Sequence, residues 1–277
     1  MRVNGHMHYD VGDGVTAIAE DLVPRLSGLP STPVGLCAAA QALVVLPDLA
    51  VEFGIPEVRH DEKSIRAASD IIRALCALDD RPIEQARSLS DRVVGTCRHF
   101  SVLSCAFLRH RGIAARSRCG FASYFVPANF VDHWVVEYWH PTDERWVRVD
   151  SEILGFEFVS APEDLAKDEF LSGGEAWTLC KQGGADPSRF GVAGFPHAWG
   201  IAEVRGNAVR DLAALNKVEM LPWDEWGRME SSYKGLTGPD YDELMDTIAA
   251  TCASNDEAAI ENLYTTEDLA VPETILI

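Results

Sequence analysis

The chain has 277 residues, 47% of them hydrophobic and 24% charged, the make-up of an ordinary globular protein with room for one large domain or two small ones. Its formal net charge is −19, which disfavours nucleic acid and acidic membranes as partners, since both need a basic footprint, and suits an amine-bearing ligand. Seven cysteines at irregular spacing, without a CxxC pair, fit neither a disulfide framework nor a zinc knuckle.

Met1 to Asp10 is polar and lacks the apolar centre of a signal peptide, and no apolar run approaches membrane-spanning length. A cytoplasmic protein with reduced thiols is expected. His6 and His8 have an HxH spacing that could ligate a metal. Further ligands such as His60 or His197 would have to converge, and no motif requires it, so neither metal nor cofactor is expected.

Residues 1–30 are punctuated by Gly and Pro. Pro33 to Glu52 is apolar and Ala-rich and reads as a buried helix, bent or ended by Pro47. Ser64 to Leu78 reads as a second helix, with Ile65, Ala68, Ile71, Ile72 and Leu75 on one face. Residues 79–91 are loop-like. Cys97 to Arg111 is a third helix with a Phe100, Leu103, Phe107 stripe, stopped by Gly112.

The period then changes. Ile113 to Phe121, Val131 to Trp139 and Arg145 to Asp150 are rich in β-branched and aromatic residues and read as strands, the last two joined by a turn at residues 140–143. Helices followed by antiparallel strands make an α+β arrangement. Beyond residue 150, Glu203 to Leu221 includes another helix, Tyr241 to Tyr264 is an acidic helix, and the tail from Thr265 is extended. No repeat or linker divides the chain. A single domain over 1–277 is expected, with a helical part at 1–90, a catalytic core at 91–152 and a C-terminal elaboration at 153–277.

Cys97, His133 and Asp150 supply a nucleophile, a base and an orienting acid in that order. If the helix begins near Cys97, its free N–H groups and positive dipole end favour the thiolate. Gly95 allows an unusual backbone conformation and a close substrate approach. His133 opens one strand and Asp150 closes the next. Pairing 139 with 144 sets 133 opposite 150, where Cβ atoms lie about 4.5–5.5 Å apart. A slip of one residue would turn the two side chains to opposite faces. Cys37, Cys76 and Cys105 lie on apolar helical patterns and read as packing residues.

Gly95 to Ser101, Leu108 to Arg116, Asp132 to Tyr138 and Trp146 to Asp150 together resemble the transglutaminase-like superfamily over roughly residues 90–152. The resemblance implies a papain-type core with a nucleophilic Cys at a helix start and His and Asp on following strands. Ser172 to Trp177, Asp186 to Gly191 and Asn207 to Gly227 look like a bacterial subgroup of that superfamily. Two departures or gaps follow. His99 stands where many members have an acidic residue, so it either replaces a structural salt bridge or lines the cleft. The superfamily often draws an oxyanion donor from upstream, for which Gln41 is the candidate, although a buried Gln must also find packing partners. Arg98 and Trp134, beside the proposed nucleophile and base, complete the candidate substrate-binding set. Arg98, Arg116 and Arg118 either bind a substrate carboxylate or, the preferred reading, pair with the many acidic residues. Trp177, Trp199, Trp223 and Trp226 read as core rather than as a groove lining.

The expected function is attack of Cys97 on an amide, ester or thioester carbonyl of a small molecule or peptide, through a covalent thioester. The outcome is hydrolysis or transfer to an amine. Two alternatives are an amide-forming acyltransferase in small-molecule biosynthesis and a non-catalytic binding module with a vestigial triad.

Overall fold

The computed structural model describes residues 9–276. The chain forms two compact units: residues up to Ser117 with Val135–Leu165, and Arg118–Trp134 with Ala166 onward. Each has its own apolar core.

In the first unit, α1 spans Pro33–Gln41, with Pro33 in the first turn and the Thr32 hydroxyl accepting from the Gly35 N–H at 3.3 Å. The expected single helix to Glu52 does not form. Val44–Val45 make a short strand, β1, and Pro47 opens a separate helix, α2 (Pro47–Glu52). Two features explain the break. Pro47 lacks the N–H that a continuous helix needs, and it forces Leu46 into extended backbone (φ −68°, ψ 150°). A 3₁₀ segment, Glu57–Ser64, delays the start of α3 to Ala68–Leu78. The predicted face is then buried: Ala68, Ile71, Ile72 and Leu75 are fully enclosed, each larger side chain contributing about 1.5–3 kcal/mol of transfer free energy. Val93–Val94, β2, pairs in parallel with β1.

Next comes α4, Cys97–His110, which ends at Arg111 with Gly112 at φ +70°. Then follow β3 (Ala115–Ala122), β4 (Phe130–His140) and β5 (Arg145–Val149). The β4–β5 hairpin pairs His140 with Arg145 and Trp139 with Trp146, and ends at Val136 with Val149. This ladder is two positions away from the expected one. The turn occupies residues 141–144, with Glu144 at φ +48°, so His140 and Arg145 stay paired.

In the second unit, β6 (Phe170–Ser172) pairs antiparallel with the end of β3. It leads into α5, Gly173–Lys181, through a capping box: the Ser172 N–H donates to Glu175 Oε2 at 2.8 Å, and the Glu175 N–H donates to Ser172 Oγ at 3.4 Å. Phe190–Gly191, β7, lies parallel to the start of β4. Hydrogen bonding orders the sheet β5–β4–β3–β6, with β7 on β4. The helices α6 (Ile201–Leu215), α7 (Gly227–Tyr233), α8 (Tyr241–Ser254) and α9 (Glu257–Thr265) follow. The expected helix over 241–264 is therefore two, parted at Asn255 in the left-handed conformation (φ 56°), with Asp256 capping α9. The tail is not extended as expected: it folds into 3₁₀ turns at Glu267–Leu269 and Glu273–Ile275. The fold is α+β. Among the described residues no helix is long and apolar enough to cross a membrane.

Candidate active site

Cys97 is the first residue of α4. Thr96, the N-cap, is extended (φ −109°, ψ 178°), and its N–H donates to Nδ1 of His99 at 3.0 Å. That bond fixes Nδ1 as an acceptor. His99 is fully buried, and burial together with the adjacent Arg98 guanidinium pushes its pKa down to about 3. The ring is therefore a neutral cap at ordinary pH. No acidic residue lies in the first turn of α4 to oppose the positive end of this 14-residue helix. Cys97 is half-buried, whereas Cys37, Cys105, Cys119 and Cys252 are buried, and none of the seven cysteines is in a disulfide. Burial pushes the Cys37 thiol up to about 12 and the Cys180 thiol up to about 11.

Gly95 serves differently from expectation. Its φ is not positive; a Cβ there would lie 2.7 Å from His99 Cγ and 2.9 Å from Val44 Cγ1. The glycine makes room for the capping histidine.

Asp150 follows the last residue of β5 and is fully buried. Its Oδ1 accepts from the Glu152 N–H at 2.9 Å, and its own N–H donates to the Pro162 carbonyl at 2.8 Å. Gln41 Nε2 donates to the carbonyls of Glu152 at 2.9 Å and Leu154 at 2.8 Å. An amide nitrogen carries two hydrogens, so both are engaged. Gln41 thus secures the segment after Asp150 and, in this arrangement, has no N–H left for an oxyanion. That same segment carries an open concavity of about 610 Å³ lined by residues 155–163, with Phe156 and Phe158 exposed beside Glu157 and Glu163.

His133 is 2% exposed. Its ring meets Phe125 edge-on at 4.9 Å and Tyr124 at 6.3 Å between centroids. The β4–β5 ladder ends before His133, and its register sets position 150 against 135 rather than 133. The direct opposition expected from the hairpin is therefore not what the ladder builds. Cys97 and Asp150 belong to the first unit, His133 to the second.

Next to His133, Asp132 anchors a buried polar chain. Asn207 Nδ2 donates to Asp132 Oδ1 at 2.6 Å and to the Gly120 carbonyl at 3.0 Å. Asn207 Oδ1 accepts from Arg210 Nη1 at 3.1 Å, and the same guanidinium reaches the Tyr233 hydroxyl at 3.0 Å and the Asp224 carbonyl at 3.1 Å. Tyr233 in turn donates to Glu203 Oε2 at 2.8 Å. Burial raises the carboxyl pKa of both Asp132 and Glu203. Sequence reasoning missed this chain. The signal was the i, i+4, i+7 spacing of Glu203, Asn207 and Arg210, three polar residues on one face of a largely apolar segment.

The remaining candidates are buried. Arg98 is enclosed and donates to the Ile65 carbonyl at 3.4 Å. Trp134 is 1% exposed, and its indole Nε1 lacks a hydrogen-bond acceptor. Arg116 pairs with Glu137 at 2.7 Å, and Arg118 pairs with Asp211 at 2.7 Å, as the pairing preference anticipated. Trp177 and Trp226 are core, their Nε1 groups donating to Asp246 and to the Leu269 carbonyl; Trp223 is 47% exposed. His6 and His8 lie outside the described residues. Among those described, no group of three or more His, Cys, Asp or Glu side chains is placed to hold a metal.

Residues 57–151 match the family model described as the transglutaminase-like superfamily. The match takes in Cys97, His133 and Asp150 and stops before α5. No curated protein and no solved structure matches the chain.

Proposed function

We propose that the transglutaminase-like core at residues 57–151 is a thiol enzyme acting on an acyl carbonyl, with Cys97 as nucleophile, His133 as base and Asp150 as the acid that orients it. The observation that carries this reading is the seat of Cys97. It is a half-buried thiol at the first position of a 14-residue helix whose first turn contains no acid, capped by a histidine that is neutral at ordinary pH. Such a seat lowers a thiol's pKa and exposes the thiolate.

In the proposed cycle His133 takes the Cys97 proton and the thiolate attacks the carbonyl carbon. The Cys97 N–H, in the first turn of the helix, is one donor to the oxyanion, and a donor of this kind is typically worth about 3 kcal/mol. Collapse of the tetrahedral adduct breaks the bond to the leaving group, which departs with the proton from His133. Water or an amine then attacks the thioester, the incoming proton passes to His133, and Cys97 is released. The carboxylates and phenyl rings along 155–163 suit a substrate or acceptor that carries an amine on an apolar stem.

Limiting iodoacetamide, applied across pH and read at each cysteine by mass spectrometry, tests the core of this reading. Selective labelling of Cys97 well below pH 8, lost in His133→Ala and shifted in Asp150→Ala, is expected. A Cys97 that labels no faster than Cys76, with both variants silent, overturns it in favour of a non-catalytic binding module.

A further inference from the structure

We infer that Asn207, on α6, is a positioning residue for His133. The inference rests on the proposed role of His133 and assigns a task to the C-terminal segment Asn207 to Gly227, which the triad does not use. Three observations carry it. Asn207 is fully buried, and its one amide nitrogen bonds to both strands of a pair: the Gly120 carbonyl of β3 and the Asp132 carboxyl of β4, the residue immediately before His133. Both amide hydrogens are thereby used, which fixes the plane of the group. Its oxygen is held in turn by Arg210, whose guanidinium is anchored by Tyr233 and by the Asp224 carbonyl, so the amide cannot flip.

The backbone around Asn207 is equally confined. A Cβ on Gly173 of α5 would lie 2.2 Å from the Asn207 carbonyl carbon and oxygen, so α5 presses directly on this turn of α6. The imidazole itself is bounded by Phe125 and Tyr124. Those ring contacts restrain its tilt, while the Asn207–Asp132 bond restrains the strand position from which it projects. A base must sit within hydrogen-bond reach of its proton, and a displacement of about 1 Å can cost as much as a hundredfold in rate. A rigid amide clamp one residue away meets that need.

The test compares Asn207→Leu and Asp132→Ala, which break the bond from either side, with Asp132→Asn, which keeps an acceptor for Asn207 but removes the charge. Ile248→Ala, a core truncation in α8, serves as a control for lost stability alone. Two quantities are read on the full chain: the imidazole titration of His133 by NMR, assigned by its disappearance in His133→Ala, and the pH profile of Cys97 alkylation.

The expected result is a His133 titration altered in Asn207→Leu and Asp132→Ala, with Cys97 alkylation near neutral pH down roughly tenfold. Ile248→Ala should keep the parent profile, and Asp132→Asn, which loses the same neighbouring carboxylate as Asp132→Ala but keeps the acceptor for Asn207, should depart from the parent less than Asp132→Ala does. If Asn207→Leu does not fold, the difference between Asp132→Ala and Asp132→Asn decides, because both keep Asn207 on α6. A folded Asp132→Ala protein whose His133 titration matches that of Asp132→Asn overturns the inference, and so does a change of the same size in Ile248→Ala. Should His133→Ala leave Cys97 alkylation untouched, the proposed triad fails, while the His133 titration still judges the clamp on its own.

Discussion

Helices α4 and α6 have 14 and 15 residues, and both are almost wholly buried, yet they place their polar groups in opposite ways. Along its side, α4 bonds to backbone carbonyls and neutral hydroxyls: Ser101 to the Val135 carbonyl and Ser117 Oγ, Arg109 to the Ala115 carbonyl and Thr16 Oγ1, Arg98 to the Ile65 carbonyl. Its distinctive chemistry sits at its first residue. In α6 the side of the helix carries the chemistry, through side-chain partners: Asp211 to Arg118, and Asn207 and Arg210 in the chain that reaches Asp132. One helix carries the proposed nucleophile at its end, and the other is a rail of charged and amide groups. The carbonyl and hydroxyl partners of the first helix are neutral, whereas removing either member of the Arg118–Asp211 pair of the second strands a buried charge.

The largest expected effect follows from that asymmetry. Asp211 is fully buried and takes Arg118 Nε at 2.9 Å, Arg118 Nη2 at 2.7 Å and the Cys119 N–H at 3.1 Å. Asp211→Ala should lower stability by about 3–5 kcal/mol, since a buried guanidinium loses its carboxylate. Replacing both together, Arg118→Met with Asp211→Leu, should recover most of that loss, short of the bond to the Cys119 N–H, whose loss costs about 1–3 kcal/mol. Urea unfolding reads both. A single variant within about 1 kcal/mol of the parent would put α6 in the same class as α4.

The cap of α4 gives the next largest effect, and it depends on pH. The folded His99 has a pKa of about 3 against an ordinary value of 6.5. Between those values the unfolded chain binds a proton that the folded chain refuses, so this contribution is complete above about pH 6.5 and is lost as the pH falls toward 3. At about 1.4 kcal/mol per pKa unit the loss amounts to several kcal/mol. His99→Gln offers Thr96 an acceptor that does not titrate. Its stability should fall less steeply than the parent's over pH 6.5 to 4, and identical slopes would show that the ring does not stay neutral.

A third change probes how tightly α6 is held. Gly173→Ala places a methyl group 2.2 Å from the Asn207 backbone, which cannot yield as a flexible side chain would. Overpacking of this kind costs about 1–3 kcal/mol. A neutral result in thermal melting would mean that α5 and α6 separate easily and that the Asn207 clamp has less support than its geometry indicates.

The same contrast governs what could be read without coordinates. The helix from Cys97 was legible because its signals are local: an apolar stripe, Thr96 before it and Gly112 after it. The strands carrying His133 and Asp150 were legible from their β-branched and aromatic runs, but their register was not. A turn over 141–144 in place of 140–143 moves the ladder by two positions, and alternation within a strand is blind to an even shift. The strand at Val44–Val45 was hidden because a short buried strand and a buried helix share the same apolar composition. The α6 chain was least legible. Asn207 and Asp132 are 75 positions apart, and no local pattern names a partner at that distance.

Gln41 gives the smallest and most local effect. It stands on α1, outside both helices compared, and its two amide hydrogens hold the Glu152 and Leu154 carbonyls. A leucine there keeps the volume and removes both donors, so the two carbonyls lose protein partners in a segment that water can reach. The net loss should be about 1–2 kcal/mol, at the scale of two ordinary hydrogen bonds. The consequence for Asp150 is larger than that number suggests. Asp150 Oδ1 is oriented by the Glu152 N–H, and Glu152 is what Gln41 holds. Gln41→Leu should therefore speed amide exchange over residues 150–156 while the α4 amides keep their protection. If Gln41 instead faces an oxyanion during the reaction, exchange in that segment stays at the parent rate and acyl chemistry at Cys97 falls by about a hundredfold.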